Sequence, residues 1–368
     1  GMAKLKYING KRKYSKNFIQ SKIDMKKKIK FVLVGFGNMG REWIEILKQD
    51  RFIQVVGVVD IIDKNLADAT KILSSGTNAV GKNLQEIIRL TKPDAILDTS
   101  PPFNHTKVTK TALNMDCHVL GEKPMSHNIQ EAENLIKLSQ MKNKIYMVNQ
   151  NYRWHPMLQT IKKYILNGEL GKMHTVSINY SQNFNFRDTF RYTMDHPLLF
   201  DMAIHHFDLV RSITDSNAKK VYCLEYNPSG SRFKNGSCAM TIFEMDKGVF
   251  FNYQGSWSDT GHNTSFMGTW KITGEKGTIV WDGIDNPQVK LLRSNKIITK
   301  QLKSRIKPNS NQKDIFLSEL KSSLNLFTNS IRRSVVPEAW CGDNIYTLSM
   351  VLSAIESAEK RIPVYTTI

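Results

Sequence analysis

The feature that most limits how this 368-residue chain can fold is the six-residue loop GFGNMG at residues 35–40. Before it, IKFVLVG from Ile29 is continuously apolar and rich in Val and Phe, as a strand buried on both faces must be. After it, NMGREWIEILKQD repeats Met39, Trp43, Ile46 and Leu47 at helical spacing. A strand that turns through glycines directly into a helix begins a crossover, and the alternation then repeats. FIQVVGVVD (52–60) reads as a strand and KNLADATKIL as a helix. DAILDTS (94–100), CHVLGEKP (117–124) and KIYMVNQ (144–150) read as further strands, separated by helices over NHTKVTKTALNM and SHNIQEAENLIKLSQMK. Ser126 stands where an N-cap for the second of these would be. This order predicts an α/β fold with a doubly wound parallel sheet.

Gly35, Gly37 and Gly40 have the GxGxxG spacing, with Phe36, Asn38 and Met39 between them. The first glycine permits the tight turn, the second lets a pyrophosphate approach the backbone, and the third allows close helix–sheet packing. The helix N-terminus offers N–H donors to the phosphates. Asp60 ends the second strand, twenty residues past Gly40. A carboxylate there accepts hydrogen bonds from ribose hydroxyls and repels a 2′-phosphate, so NAD is the expected cofactor. Lys64, close by in sequence, keeps NADP as a second option.

After Asn151 the texture changes. HPMLQTIKKYILNGELGK reads as a helix closed by Gly168. Strand-like segments at 173–184, 219–226, 237–246, 249–258, 268–273 and 277–281 follow, separated by Gly, Asn and Pro. They predict a large, mostly antiparallel open sheet in a second α/β domain. The cations between Lys290 and Lys307 fit a solvated hairpin, and helices are expected near 312–330 and 343–360. The expected organisation is a basic extension over 1–24, a dinucleotide-binding domain over 25–150, and a substrate and oligomerisation domain over 151–368. The C-terminal helix is expected to pack back on the first domain. An open antiparallel sheet must cover its second face, which predicts association of subunits through it.

The formal charge is +19, and residues 1–30 alone hold eleven Lys/Arg against one acid, Asp24. No aromatic or motif pattern for nucleic-acid recognition accompanies that charge, so a solvated tail or an extension on a neighbouring subunit is the expected reading. Met25 before KKKIKFVLVG makes a natural start, so residues 1–24 read as an addition or a misassigned start, and Gly1 as a cloning remnant. Four scattered cysteines, Cys117, Cys223, Cys238 and Cys341, form no CxxC pair, so neither disulfides nor a structural zinc is expected. No secretory segment and no apolar run near membrane length is found, and a reducing cytoplasm is the expected compartment.

DMAIHHFDLV (201–210) is the chemical anomaly: four ionisable groups in an apolar stretch, inside a helix opened by Pro197. Helical spacing places Asp201, His205 and Asp208 on one stripe, with His206 about a quarter-turn away. An Asp–His pair of this kind suits proton transfer from an alcohol, or a buried histidine satisfied by its neighbour. A metal site is not expected, because a third ligand at recognisable spacing is missing. GEKPMS (121–126) lies at the carboxyl end of a parallel strand, where cofactor sites in such sheets form, and Pro124 stiffens the loop that carries Lys123.

With FVLVGFGNMG, Asp60, DTSPPFNHTKVTKTALNMDCHVLGEKP, NQNYRWHP, DMAIHHFDLVR, ITGEKGTIVWDG and GDNIYTLSMVLSAIESAEKRIPV, the chain resembles the Gfo/Idh/MocA family of nicotinamide-dependent oxidoreductases from about Lys27 onward. The resemblance implies a Rossmann domain followed by an α/β domain with an open sheet, often oligomeric through it as a dimer or tetramer. It implies Lys123, Asp201 and His205 as the catalytic set, with His205 as acid/base. Glu122 and the Ser100–Pro101–Pro102 turn would line the nicotinamide and its ribose, with His105 nearby, and Arg153 would reach the substrate. Ala203 stands where many dehydrogenases of the family have Gly. The implied activity is NAD(P)-dependent oxidation of a sugar, inositol or sugar-derivative hydroxyl, with no membrane or nucleic-acid partner. An NAD-dependent glycosidase without net redox and a non-catalytic nucleotide sensor are the alternatives within this fold.

Overall fold

The computed structural model describes residues 6–8, 11–13, 27–73, 79–186, 190–304 and 311–368. The chain forms two compact units, Gly1–Gln150 with Leu320–Ile345, and Asn151–Glu319 with Tyr346–Ile368. In the basic extension, Lys6–Ile8 pairs antiparallel with Lys11–Lys13; the rest of residues 1–24 lies outside the described residues.

The first unit holds six parallel strands: β1 (Ile29–Val34), β2 (Ile53–Val59), β3 (Ala79–Gly81), β4 (Ala95–Asp98), β5 (His118–Gly121) and β6 (Tyr146–Val148). Their order in the sheet is β3-β2-β1-β4-β5-β6. The order reverses between β1 and β4, which opens a crevice at their carboxyl ends, the place where such sheets take ligands. Phe31, Val32, Leu33, Ile96 and Leu97 are fully buried, as expected for strands covered on both faces. The crossover helices are α1 (Asn38–Gln49), α2 (Asp63–Ile72), α3 (Leu84–Thr91), α4 (His105–Asn114) and α5 (Ile129–Met141). Trp43, Ile44, Ile46 and Leu47 give α1 its buried stripe.

Two elements depart from the sequence reading. β3 and α3 were not anticipated, because a three-residue AVG strand carries almost no periodic signal. α5 is capped by Asn128, whose side chain accepts from the Glu131 N–H, rather than by Ser126. Ser126 instead accepts from the Asn128 N–H and donates to the Glu131 carboxylate.

The second unit begins with α6 (Pro156–Leu166) and β7 (Met173–Ser181). A π-helical turn, Leu199–Ala203, leads into α7 (Ile204–Thr214). Strands β8 (Ala218–Tyr226), β9 (Cys238–Met245), β10 (Phe250–Ser256), β11 (Thr269–Gly274), β12 (Gly277–Trp281), β13 (Gln288–Arg293) and β14 (Lys296–Gln301) follow. After α8 (Gln312–Arg333) and α9 (Cys341–Lys360) the chain ends with β15 (Val364–Tyr365). The nine strands are ordered β14-β13-β12-β11-β7-β10-β9-β8-β15, antiparallel throughout except for β7 with β10. β14 is exposed along its length, so the cations near it sit on a solvated hairpin. Phe207 of α7 packs edge-on against Phe243, Phe251 and Tyr253, which fixes α7 to the inner face of this sheet.

Residues from Leu320 return to the first unit. There Phe327 of α8 meets Phe31 of β1, and the Val148 N–H donates to the Ala339 carbonyl. All four cysteines are buried and unbridged. Among the described residues no helix is long and apolar enough to cross a membrane.

Candidate active site

In the first unit the glycine loop is built by backbone contact. Gly35 has φ +87°, and a Cβ there would meet the Ser100 N at 2.7 Å. A Cβ on Gly40 would run into the Gly35 carbonyl, so α1 packs against the turn itself. Gly37 differs, because nothing lies within 4 Å of where its Cβ would be. Gly37 is also the N-cap of α1 and supplies no side-chain cap. α1 therefore starts without a side-chain cap and with open space beside Gly37, the arrangement a dinucleotide pyrophosphate requires. The residues fit the cofactor that the motif implies.

Asp60 is buried at the end of β2. Its carboxylate accepts from the Phe36 N–H at 2.6 Å, the Ile62 N–H at 2.8 Å and the Asn65 side chain at 3.1 Å. One carboxylate thus ties the glycine loop to the second strand. Phe36 contributes its backbone, while its ring is buried beneath the Arg41 guanidinium. Arg41 is held by Asp68 at 2.9 Å. Asn38 and Met39 form the exposed and half-exposed start of α1.

At the end of β4, Asp98 is fully buried and accepts from the Ser100 N–H at 3.0 Å and the Ser100 hydroxyl at 2.6 Å. Its other oxygen is 3.0 Å from His105 Nδ1. His105, expected near the nicotinamide, is buried and supports the Ser100–Pro101 turn through Asp98. At the end of β5, Glu122 accepts from Trp43 Nε1 at 3.0 Å and from Asn149 Nδ2 at 2.9 Å. Lys123 follows, half-buried, joined to Pro124 by a cis peptide bond. Loop, Ser100 turn and Glu122–Lys123 all follow the carboxyl ends of β1, β4 and β5, neighbours in the sheet.

In the second unit, Asp201 lies within the π-turn and His205 in the first turn of α7. The extra residue of a π-turn changes the stripe expected for a continuous α-helix. His205 is 6% exposed and stacks on Tyr152, with ring centroids 4.4 Å apart and planes at 23°. Asp201 lies near enough to Tyr152 and Tyr180 for its charge to help burial push both phenols upward. It also accepts from Arg191 Nε at 2.8 Å. The pair is partly open, with side-chain exposures of 24% for Arg191 and 15% for Asp201.

Asp208 has a separate task. It receives both Nε and Nη2 of Arg153, at 2.5 and 2.7 Å, and the Thr347 hydroxyl at 2.7 Å. Arg153, expected at the substrate, is buried in a bidentate pair with Asp208 that positions the 151–154 turn. His206 lies between Tyr253, 3.3 Å from its Nδ1, and the Phe266 carbonyl, 3.1 Å from its Nε2. Burial lowers its pKa to about 4, which keeps it neutral and structural.

Two residues escaped the sequence reading. Arg191 sits in the short helix Phe190–Thr193, within the loop 183–196, and its only signal was a cation ten residues before Asp201. Glu319 on α8 is 2% exposed and accepts from Asn151 Nδ2 at 2.7 Å. Burial raises its pKa to about 8, while the Asn151 bond acts weakly in the other direction. Nothing in KDIFLSELKSS marks it as buried. Among the described residues no three His, Cys, Asp or Glu side chains group to hold a metal ion.

Comparison with known proteins gives a consistent result. Residues 29–150 match the family described as "Oxidoreductase family, NAD-binding Rossmann fold", and residues 158–280 match "GFO/IDH/MocA C-terminal domain". The uncharacterized protein y4oX of Sinorhizobium fredii is 25% identical over 261 residues, covering 69% of this chain and 72% of that protein. Myo-inositol 2-dehydrogenase of Thermotoga maritima is 25% identical over 195 residues, covering 52% of this chain and 56% of that enzyme. This chain thus spans little more than half the length of that inositol dehydrogenase. An oxidoreductase from Agrobacterium radiobacter, solved with NAD+, L-tartaric acid and magnesium, has the same fold, with a TM-score of 0.82 at 15% identity over 92% of this chain and 98% of that one.

Proposed function

The chain belongs to the Gfo/Idh/MocA family of oxidoreductases, and on that premise we propose that it passes a hydride between NAD and a CH–OH carbon of a sugar, inositol or sugar derivative. Bound at the glycine loop, NAD supplies the hydride acceptor and carries the redox chemistry. The chain's own residues supply position and proton transfer. His205 takes the proton of the substrate hydroxyl, and Asp201 orients that hydroxyl. The Lys123 ammonium steadies the developing alkoxide. In the reverse direction His205 returns the proton to the carbonyl oxygen.

The observation that carries this reading is the setting of His205. It is stacked on Tyr152, beside an Asp201 that shares the same phenol as neighbour. Asp208 and Arg153 are assigned to hold the turn that carries Tyr152. Glu122, Ser100, Pro101 and Asp60 are assigned to the cofactor, with His105 acting through Asp98.

The test is NAD reduction, followed by absorbance, over inositols, neutral aldoses, uronic acids, sugar phosphates and nucleotide sugars. Turnover is expected with one class, and Lys123→Ala and His205→Ala are each expected to lower kcat by about 10²–10⁴ with NADH affinity retained. Wild-type turnover in either variant refutes the assignment. Silence of the wild type across the panel, with NADH bound, moves the reading to redox-neutral chemistry or sensing. The second unit's sheet also exposes Tyr222, Met240, Ile242 and Phe250. A homo-oligomer formed through that face is expected in light scattering, and a strict monomer refutes it.

A further inference from the structure

We propose that Arg191 recognises an anionic group on the substrate, a carboxylate or a phosphate, so that the hydroxyl oxidised belongs to a sugar acid or a sugar phosphate rather than to a neutral sugar. This rests on the dehydrogenase reading above and narrows its substrate class. Asp201 is the carboxylate assigned to the substrate hydroxyl, and alone it repels an anion. Arg191 answers that charge at 2.8 Å from a different element, the short helix Phe190–Thr193. The pair remains partly open to solvent, so a second anion can reach the guanidinium.

The guanidinium is also pre-set. It lies over the ring of Phe186 at 5.0 Å and that of Phe190 at 4.7 Å. Stacking of this kind holds the plane of the fork, which suits recognition of carboxylate and phosphate oxygens better than a mobile ammonium would. Phe186 packs edge-on against buried Phe233 and Trp257 and against exposed Phe184. Aromatic faces suit the C–H faces of a sugar ring. Arg232, exposed and next in sequence to Phe233, is a second cation and donates to the Asn183 side chain at 2.8 Å. Exposed Phe184, packed on Phe186 beneath the Arg191 guanidinium, sets a ring and a cation side by side, which fits a sugar that carries negative charge. An anion that shares the Arg191 fork loosens its hold on Asp201 and frees that carboxylate for the hydroxyl, so binding of the correct substrate and readiness of the site are coupled.

The experiment compares matched pairs: glucose with glucuronate and glucose 6-phosphate, and galactose with galacturonate. The readout is the ratio of kcat/KM for the anionic to the neutral member, in wild type and in Arg191→Met. Any general damage to Asp201 lowers both members and cancels in the ratio. Wild type is expected to favour an anionic member at least tenfold, and Arg191→Met to reduce that ratio by about 10- to 100-fold, as loss of a charge-assisted hydrogen bond predicts. The uronate and phosphate arms tell which anion is taken. Equal use of neutral sugars, or an equal fall of both members in the variant, overturns the proposal and leaves Arg191 as a positioning residue for Asp201. If no sugar is turned over, calorimetric binding of glucuronate and glucose 6-phosphate to the NADH-loaded protein decides. Binding that Arg191→Met abolishes upholds the anion site while the dehydrogenase reading fails; no binding, or binding the variant retains, overturns the anion site.

Discussion

Replacing Glu319 by Gln should make the protein more stable, and by an amount that grows with pH. Glu319 is 2% exposed, and Asn151 Nδ2 donates to it at 2.7 Å. Burial raises its pKa from 4.5 to about 8. The sign follows from which state holds the proton. Between these two values the unfolded chain has lost its proton and the folded chain keeps it, so each pH unit of rise costs the fold about 1.4 kcal/mol. At pH 5 the loss is under about 1 kcal/mol, and at pH 7 about 3 kcal/mol. It levels off near 4–5 kcal/mol above pH 8, roughly, once the folded-state carboxyl ionises too. Gln keeps an oxygen for Asn151 and never ionises. Its advantage in melting temperature should therefore rise from about 1 °C at pH 5 to roughly 4 °C at pH 7, for a chain of this length. Thermal melts of both proteins at pH 5, 6, 7 and 8.5 measure this directly, because other titrating groups cancel in the difference. A difference that stays constant with pH, or a Gln variant less stable at pH 7, would mean that Glu319 is ionised in the fold and would refute the reasoning.

Three further outcomes are expected. Gly37→Ala points its methyl into open space, so it should leave the melting temperature nearly unchanged while weakening NADH binding by about tenfold or more. Gly40→Ala drives its methyl into the Gly35 carbonyl and should cost about 1–3 kcal/mol in urea unfolding before any ligand is added; equal effects of the two variants on stability would sink the assignment. Arg153→Ala takes the bidentate partner from buried Asp208 but leaves it the Thr347 hydroxyl and Arg211 at 3.8 Å, so it should cost about 2–3 kcal/mol, part of it recovered in the double variant with Asp208→Ala; a loss below about 1 kcal/mol would show the pair to be weak. Burial lowers the pKa of His118 to about 3 and those of His155 and His206 to about 4. The unfolded chain then protonates first, so stability is full above pH 6.5 and falls as the pH drops toward 4. Urea midpoints in the Glu319→Gln background, where the opposing carboxyl is gone, should decline between pH 7 and pH 5, and a flat profile would contradict this.

How far such a site can be read in advance depends on the sequence distance over which its parts are fixed. The glycine loop was legible because strand, turn and helix lie in one continuous segment, and each glycine has a local steric reason to be there. Asp60 was legible as a strand end, yet its bond to the Phe36 N–H spans twenty-four residues and became visible only in the fold. Ser126 and Asn128 have the same capping chemistry two residues apart, so local signals could not choose between them. The DMAIHHFDLV stripe assumed a uniform α-helix, and one π-turn changes which side chains share a face.

Arg153 illustrates the deeper limit. Its partner Asp208 lies fifty-five residues away, and an arginine carries no mark of whether its fork is occupied by a buried carboxylate or offered to a substrate. The same ambiguity makes Arg191 informative. Both arginines meet an aspartate of the Asp201–Asp208 segment, but Arg153 is sealed with its partner while Arg191 stays partly exposed on aromatic faces. Breaking the sealed pair leaves a desolvated carboxylate short of its bidentate partner, so the pair fixes a turn. The open pair keeps part of its hydration and can exchange partners at low cost, so it can select. Exposure separates a scaffold arginine from a recognising one, and the Arg191→Met ratio measures that distinction.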